Sequence, residues 1–160
     1  MNLYLLRHGE AEASASTSAG RQLTEAGHQE IASVAMQFAS KRLEIEACFV
    51  SPALRAKQTA GTFLSHIFQP PEPVIVDVLR ANQRAAQLMQ FLGNLEEEKV
   101  LLVSHNPILS ELLALLIKGN VDDLVILDTG ELASVSLDVI GLGMGSCPFI
   151  LQAFASMPAS

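Results

Sequence analysis

At 160 residues the chain fits one ordinary domain and is short for two, and 49% hydrophobic against 17% charged residues excludes a disordered class. Aromatics make up only 5%, so a core must come mainly from Leu, Val, Ile and Ala. A net charge of −7 argues against nucleic acid as a partner, because a phosphate backbone demands clustered Lys and Arg. A small cationic pocket stays compatible with it, since exposed charges are screened beyond about 8 Å at physiological salt.

Residues 2–6 read as a strand, and Arg7 interrupts that apolar run before it could serve as a signal peptide. The small-residue stretch "EAEASASTSAG" follows with neither helical nor strand period. From Thr24 the spacing of Ile31, Val34, Ala35 and Phe38 predicts a helix, with Thr24 as N-cap and Glu25 in the first turn. "ACFV" (47–50) is a short strand, and Ser51-Pro52 is a cap-and-proline helix start for a stripe of Ala56, Ala60, Phe63 and Ile67. "QPPEP" breaks that helix, "VIV" (74–76) is the next strand, and Asn82 is placed to cap a helix carrying Leu88, Met89 and Leu92.

The acidic "LEEEK" reads as a solvated turn before "VLLVS" (100–104), a fully buried strand. Asn106-Pro107 repeats the cap-and-proline device, opening an apolar helix that Lys118 and Gly119 end. That helix carries Glu111 and its apolar run is too short for a bilayer, so the expected setting is cytoplasmic, with no membrane partner. "ELASVSLDVI" and "CPFILQAF" complete the chain as two strands around a glycine-rich turn. Cys48 and Cys147 lie in apolar stretches without metal or redox spacing and read as buried structural thiols. Strands alternating with helices predict one domain over 1–160: an α/β three-layer α/β/α sandwich with a mostly parallel sheet and an antiparallel addition near one side.

The chemistry-bearing residues fall at strand exits. Arg7 and His8 follow the first strand, Arg55 follows the second, and His105 follows the strand at 100–104. Beyond the carboxyl ends of parallel strands such residues gather along one edge, where ligands bind and helix N-termini favour anions. Each has a bland reading, as a hydrogen-bonded histidine or a solvated arginine. Four together repel one another unless a dianion sits among them, and phosphate matches the guanidinium fork. With no Walker loop and no magnesium-holding carboxylates, His8 becomes the candidate nucleophile. The guanidiniums would keep its imidazole neutral and a backbone carbonyl would fix its tautomer, with Gly9 leaving room for the close approach.

"LRHGE", "SPALRAKQTA" and "SHNP", in that order over nearly the whole chain, resemble the histidine phosphatase superfamily. The resemblance implies a phosphoglycerate mutase-like fold, no cofactor and no metal, with His8 as nucleophile and Arg7, Arg55, His105 and Gly9 at the phosphate. "RQLTEAG" and the short length are similar to its SixA-type phosphohistidine phosphatases, whose partner is a phosphohistidine-bearing protein, a phosphotransfer domain or a phosphotransferase-system protein; Arg21 is then a candidate substrate contact. Mutase-type members carry a glutamate acid where "VLRANQ" has Ala81, and Asp77 or Glu10 are the alternatives for that acid. A phosphohistidine tolerates the loss, because its ring leaves as neutral imidazole, whereas an alkoxide needs a proton.

Three other readings stand beside this one. A small-molecule phosphomonoesterase of the same superfamily is the nearest. A phosphoryl-binding module without turnover and a metal hydrolase using His8, Glu10 and His105 are the others, the latter opposed by the arginines and by the histidine spacing. "GLGMG" has a dinucleotide-loop flavour with no helix after it, so a hairpin turn is expected.

Overall fold

In the computed structural model, which describes residues 1–154, strands and helices alternate as far as the fourth helix. They are β1 (Asn2–Arg7), α1 (Glu25–Ser40), β2 (Ala47–Val50), α2 (Leu54–Leu64), β3 (Pro73–Ile75), α3 (Ala85–Gly93), β4 (Lys99–Ser104) and α4 (Ile108–Lys118). β5 (Leu132–Leu137), β6 (Gly145–Ser146) and β7 (Ile150–Leu151) close the sheet. Its order is β3-β2-β4-β1-β5-β6, with β7 also on β5. The first four in that row are mutually parallel, and β5 runs antiparallel to β1.

Both faces of the sheet are covered, and side-chain alternation sorts the residues between them. Tyr4, Leu6, Leu101 and Val103 face α1 and α2, packing on Ile31, Val34, Phe38 and Phe63. Leu3, Leu5, Val100 and Leu102 face α3 and α4, packing on Leu88, Leu92, Leu109 and Leu112. Tyr4, Phe38 and Phe63 meet edge to face, with ring centroids 4.8 and 5.4 Å apart. The result is the α/β three-layer sandwich the sequence implies.

The differences lie at element ends. Thr24 caps α1 as expected, its Oγ1 accepting the Gly27 N–H at 3.0 Å. Ser51-Pro52 does not open α2: Ser51 Oγ accepts the Ala53 N–H at 3.3 Å, and the helix starts at Leu54 without a side-chain cap. Ile67 lies beyond its end and packs from the following turn. α3 starts at Ala85 rather than at a cap on Asn82, which stays in an exposed turn. α4 starts after Pro107, and Asn106 spends its side chain elsewhere. Gly119 ends α4 in the left-handed region at φ +80°.

The closing strand is broken. Ser136 pairs with Ser146, yet Leu132 pairs with Leu151, so one extra residue is inserted between β6 and β7. Pro148, which has no N–H for the ladder, lies in that bulge. Cys48 is fully buried, and burial pushes its thiol up to about 12. Cys147 is only half-buried, beside the bulge.

Candidate active site

β2, β4 and β1 are neighbours in the sheet, so their carboxyl ends lie side by side. Chain positions 8, 55 and 105 meet there. His8 leaves β1 directly, Arg55 is the second residue of α2, and His105 leaves β4 directly. The loop after β1 is pressed onto the start of α1: a Cβ at Gly9 would lie 2.8 Å from the Gly27 carbonyl oxygen, and one at Gly27 2.1 Å from that of Glu10. Only glycine at both positions allows this crossing, and the crossing sets where His8 sits.

Arg55 joins the two imidazoles. Its Nε donates to His8 Nε2 at 3.3 Å, its Nη2 to His105 Nδ1 at 3.4 Å, and its Nη1 to the Ser18 carbonyl at 2.8 Å. The rings stand 6.3 Å apart at 80°. A guanidinium only donates and a carbonyl only accepts, which fixes both tautomers. His8 Nδ1 carries the proton and gives it to the Gly9 carbonyl at 2.7 Å, leaving a lone pair on Nε2. His105 carries its proton on Nε2, which is buried near the Leu79 and Arg80 carbonyls without a well-formed hydrogen bond among the described residues.

Both imidazoles are held well below the ordinary histidine range, at about 4. For His8 burial is the main cause, opposed by the Gly9 carbonyl and reinforced by Arg55, Arg7 and His105. For His105 it is again burial, then Arg55, with the Leu79 and Arg80 carbonyls opposing. The sequence pointed to the guanidiniums as the cause; removal from water outweighs them. Burial and then the charge of Arg21 also lower Arg55.

Arg7 donates through Nη1 to the Leu127 carbonyl at 2.8 Å, while the Nε atoms of Arg7 and Arg21 are buried without partners among the described residues. Among those residues no carboxylate lies within 4 Å of Arg7, Arg21 or Arg55. Buried cations and orphaned donors left uncompensated are costly unless an anion joins them. The arrangement therefore suits an oxyanion, with the His8 Nε2 lone pair taken up by Arg55 Nε as long as no anion draws that guanidinium away. Among the described residues no group of three or more His, Cys, Asp or Glu side chains could hold a metal ion.

Gly9 does not present its amide to the pocket. That N–H is donated to Thr59 Oγ1 at 3.1 Å, and Thr59 in turn donates to the Arg55 carbonyl at 2.8 Å. Gly9 is there for its carbonyl and for the crossing. Glu10 is exposed, its carboxylate accepting from Thr24, and Asp77 is paired with Arg80 at 2.9 Å. Ala81 does line the cleft above Arg55 and His105, a space of about 260 Å³ also lined by Ser18, Ala19, Arg80 and Asn82, whereas Arg7 borders a separate depression with Glu30, Asp128 and Glu131. A larger groove, of about 480 Å³, lies at the far ends of α1 and α2 and carries none of these groups.

His28 bridges α1 to α2 through Thr62 at 2.9 Å, and His66 bonds the Thr62 carbonyl just past the end of α2. Sequence reasoning gave no role to the carbonyls of Ser18 and Leu127. Main-chain contacts leave no trace in residue identity. Thr59 sits within the quoted "RAKQTA" run and could have been found there.

A sheet edge that joins two imidazoles through one guanidinium, with the charge of Arg7 acting on both rings, suits a class of α/β proteins handling phosphoryl-type anions. Comparison with known proteins agrees. The model of the histidine phosphatase superfamily (branch 1) matches residues 3–80. The phosphohistidine phosphatase SixA of Escherichia coli (strain K12) is 31% identical over 146 residues, covering 89% of each chain. A solved structure of the protein histidine phosphatase SixA complexed with tungstate superposes with a TM-score of 0.85 at 28% identity, covering 95% of this chain and 97% of that one. The α-ribazole phosphatase of Shigella flexneri shares the fold, with a TM-score of 0.66 at 22% identity over 89% and 94% of the two chains. The chain belongs to the histidine phosphatase superfamily, as a SixA-type member, and shares its general hydrolase activity.

Proposed function

We propose that the chain is a phosphohistidine phosphatase that removes a phosphoryl group from a histidine on a signalling or phosphotransfer protein, working in the cytoplasm without a cofactor. The observation that carries the mechanism is the pair of hydrogen bonds on His8: Nδ1–H donates to the Gly9 carbonyl, and Nε2 accepts from Arg55 Nε, so Nε2 is the unprotonated nitrogen. As Arg55 Nε turns from His8 Nε2 to the phosphoryl oxygens, Nε2 attacks phosphorus in line, forming a new P–N bond while the substrate's P–N bond breaks; the substrate ring, already protonated on its other nitrogen, departs as neutral imidazole. Arg7, Arg55 and the Nε2–H of His105 hold the equatorial oxygens, where charge is greatest in the transition state. Water then breaks the P–Nε2 bond, releasing inorganic phosphate and restoring the His8 lone pair.

Two features support a P–N rather than a P–O substrate. Ala81 occupies the cleft wall where mutase-type relatives have an acid, and Glu10 and Asp77 are engaged elsewhere. The E. coli relative is itself named a phosphohistidine phosphatase, and tungstate, bound by the solved SixA, is a phosphate-like oxyanion. The fold does not select the substrate, since the α-ribazole phosphatase shares it.

The test is a side-by-side assay at equal enzyme concentration on a phosphohistidine protein and on common phosphomonoesters. Preference for the former is expected, with a phosphoenzyme trapped at His8 and turnover lost in His8→Ala. Efficient ester turnover without that preference would establish the small-molecule phosphomonoesterase instead.

A further inference from the structure

A closed ring of hydrogen bonds stands behind Arg7. The Leu127 carbonyl that accepts from Arg7 Nη1 also accepts from Asn106 Nδ2, both at 2.8 Å. Ser110 Oγ donates to Asn106 Oδ1 at 2.7 Å and accepts the Leu127 N–H at 3.1 Å. Ser110 and Leu127 are fully buried, and Asn106 and Ser110 lie four residues apart, one helical turn. Gly130, at φ +75°, adds its N–H to the carbonyls of Arg7 and His8 at 3.2 and 3.0 Å. The stretch 127–130 therefore straps the end of β1 and the guanidinium of Arg7 together, and the Asn106–Ser110 pair holds the strap.

Arg7 has few other restraints. Its Nε has no partner among the described residues, so Nη1 alone fixes where the fork points. A carbonyl held from one side by Asn106, on a peptide unit whose residue donates its N–H to Ser110, cannot drift, and neither can the guanidinium bound to it. Asn106 also follows His105 directly, so one network reaches both Arg7 and the residue beside His105. We propose that Asn106 and Ser110 are positioning residues that aim Arg7 at the phosphoryl group, acting through the Leu127 carbonyl without touching substrate. This inference rests on the reading of Arg7 as a phosphate ligand.

The test is a double-mutant cycle with inorganic phosphate as competitive inhibitor and free phosphohistidine as substrate. Asn106→Leu and Ser110→Ala are each expected to raise the phosphate inhibition constant and the KM by on the order of tenfold, with a smaller change in kcat. In an Arg7→Ala background the same substitutions are expected to add less than about twofold, because the group they aim is gone. Equal losses in both backgrounds, or a lowered melting temperature with unchanged phosphate inhibition, would reduce the pair to a loop anchor and overturn the proposal. If Ser110→Ala does not fold, the half-exposed Asn106 carries the cycle alone. Should Arg7→Ala itself leave phosphate inhibition unchanged, the site reading falls, which is a different failure from the network's.

Discussion

His8 and His105 are ordinary in sequence and unusual in place. Each ring was pulled from water at a strand end and set beside a guanidinium, and each is pushed down to about 4 from an ordinary value of about 6.5. The sign follows directly. Between pH 6.5 and 4 the unfolded chain binds protons that these folded rings refuse, so their contribution to stability is complete above about 6.5 and lost as pH falls through 4. Both rings are neutral at pH 7, so no base is needed to deprotonate His8, whose Nε2 lone pair is occupied only by the Arg55 Nε–H. Titration of the ring C–H resonances in the free protein is expected to place two of the four histidines near 4. Saturating phosphate should move both upward, since a dianion among them favours the imidazolium. A His8 ring titrating at its ordinary value in the free protein would contradict the burial on which this depends.

The elements themselves were legible, because periodicity reports which face is buried. Leu3, Leu5 and Tyr4, Leu6 alternate across β1, and Ile31, Val34, Ala35 and Phe38 mark one stripe of α1. Helix starts were less legible. Ser51 and Asn106 have the chemistry of caps, yet each forms a different local bond, Ser51 in a turn and Asn106 across the fold. Residue type declares that a side chain can accept a hydrogen bond, not which donor will arrive. The β1–α1 crossing was invisible for a related reason: Gly27 reads as a mild weakness in a helix until Glu10 is seen against it. Two glycine substitutions separate these cases. Gly27→Ala would put a Cβ 2.1 Å from the Glu10 carbonyl oxygen, a backbone atom that cannot yield without shifting His8. It is expected to cost on the order of 1–3 kcal/mol and most of the activity. Gly61→Ala, in exposed α2 with nothing within 4 Å of the new Cβ, should stabilise by about 0.4–1 kcal/mol and leave turnover alone. Chemical denaturation of both variants checks this, and equal signs would refute the crossing as the cause.

At the scale of the molecule, the site's main members were legible because parallel strands deliver their carboxyl ends to one edge, whatever their separation in sequence. Arg7, His8, Arg55 and His105 needed only that topology to converge. What the topology could not supply was the mesh of carbonyls from Ser18, Leu127 and Gly9 that aims them, since every residue has a carbonyl. A pocket built from three strand exits exists only when β1, β2 and β4 are all in register, so an anion that binds it binds the folded state and not the unfolded chain. Linkage then sets a magnitude. At a phosphate concentration one hundred times its dissociation constant the folded state gains about 2.7 kcal/mol. For a chain of this size that is a rise in melting temperature of roughly 5–10 °C. Sulfate and phosphate also stabilise proteins generally by exclusion from their surfaces, so the informative comparison is with Arg55→Ala at the same salt. The native chain is expected to show a saturable rise at low phosphate and the variant only the shallow, non-saturating one. Identical curves for the two would mean that the arginine between the imidazoles holds no anion, and that its two hydrogen bonds to them are structural alone.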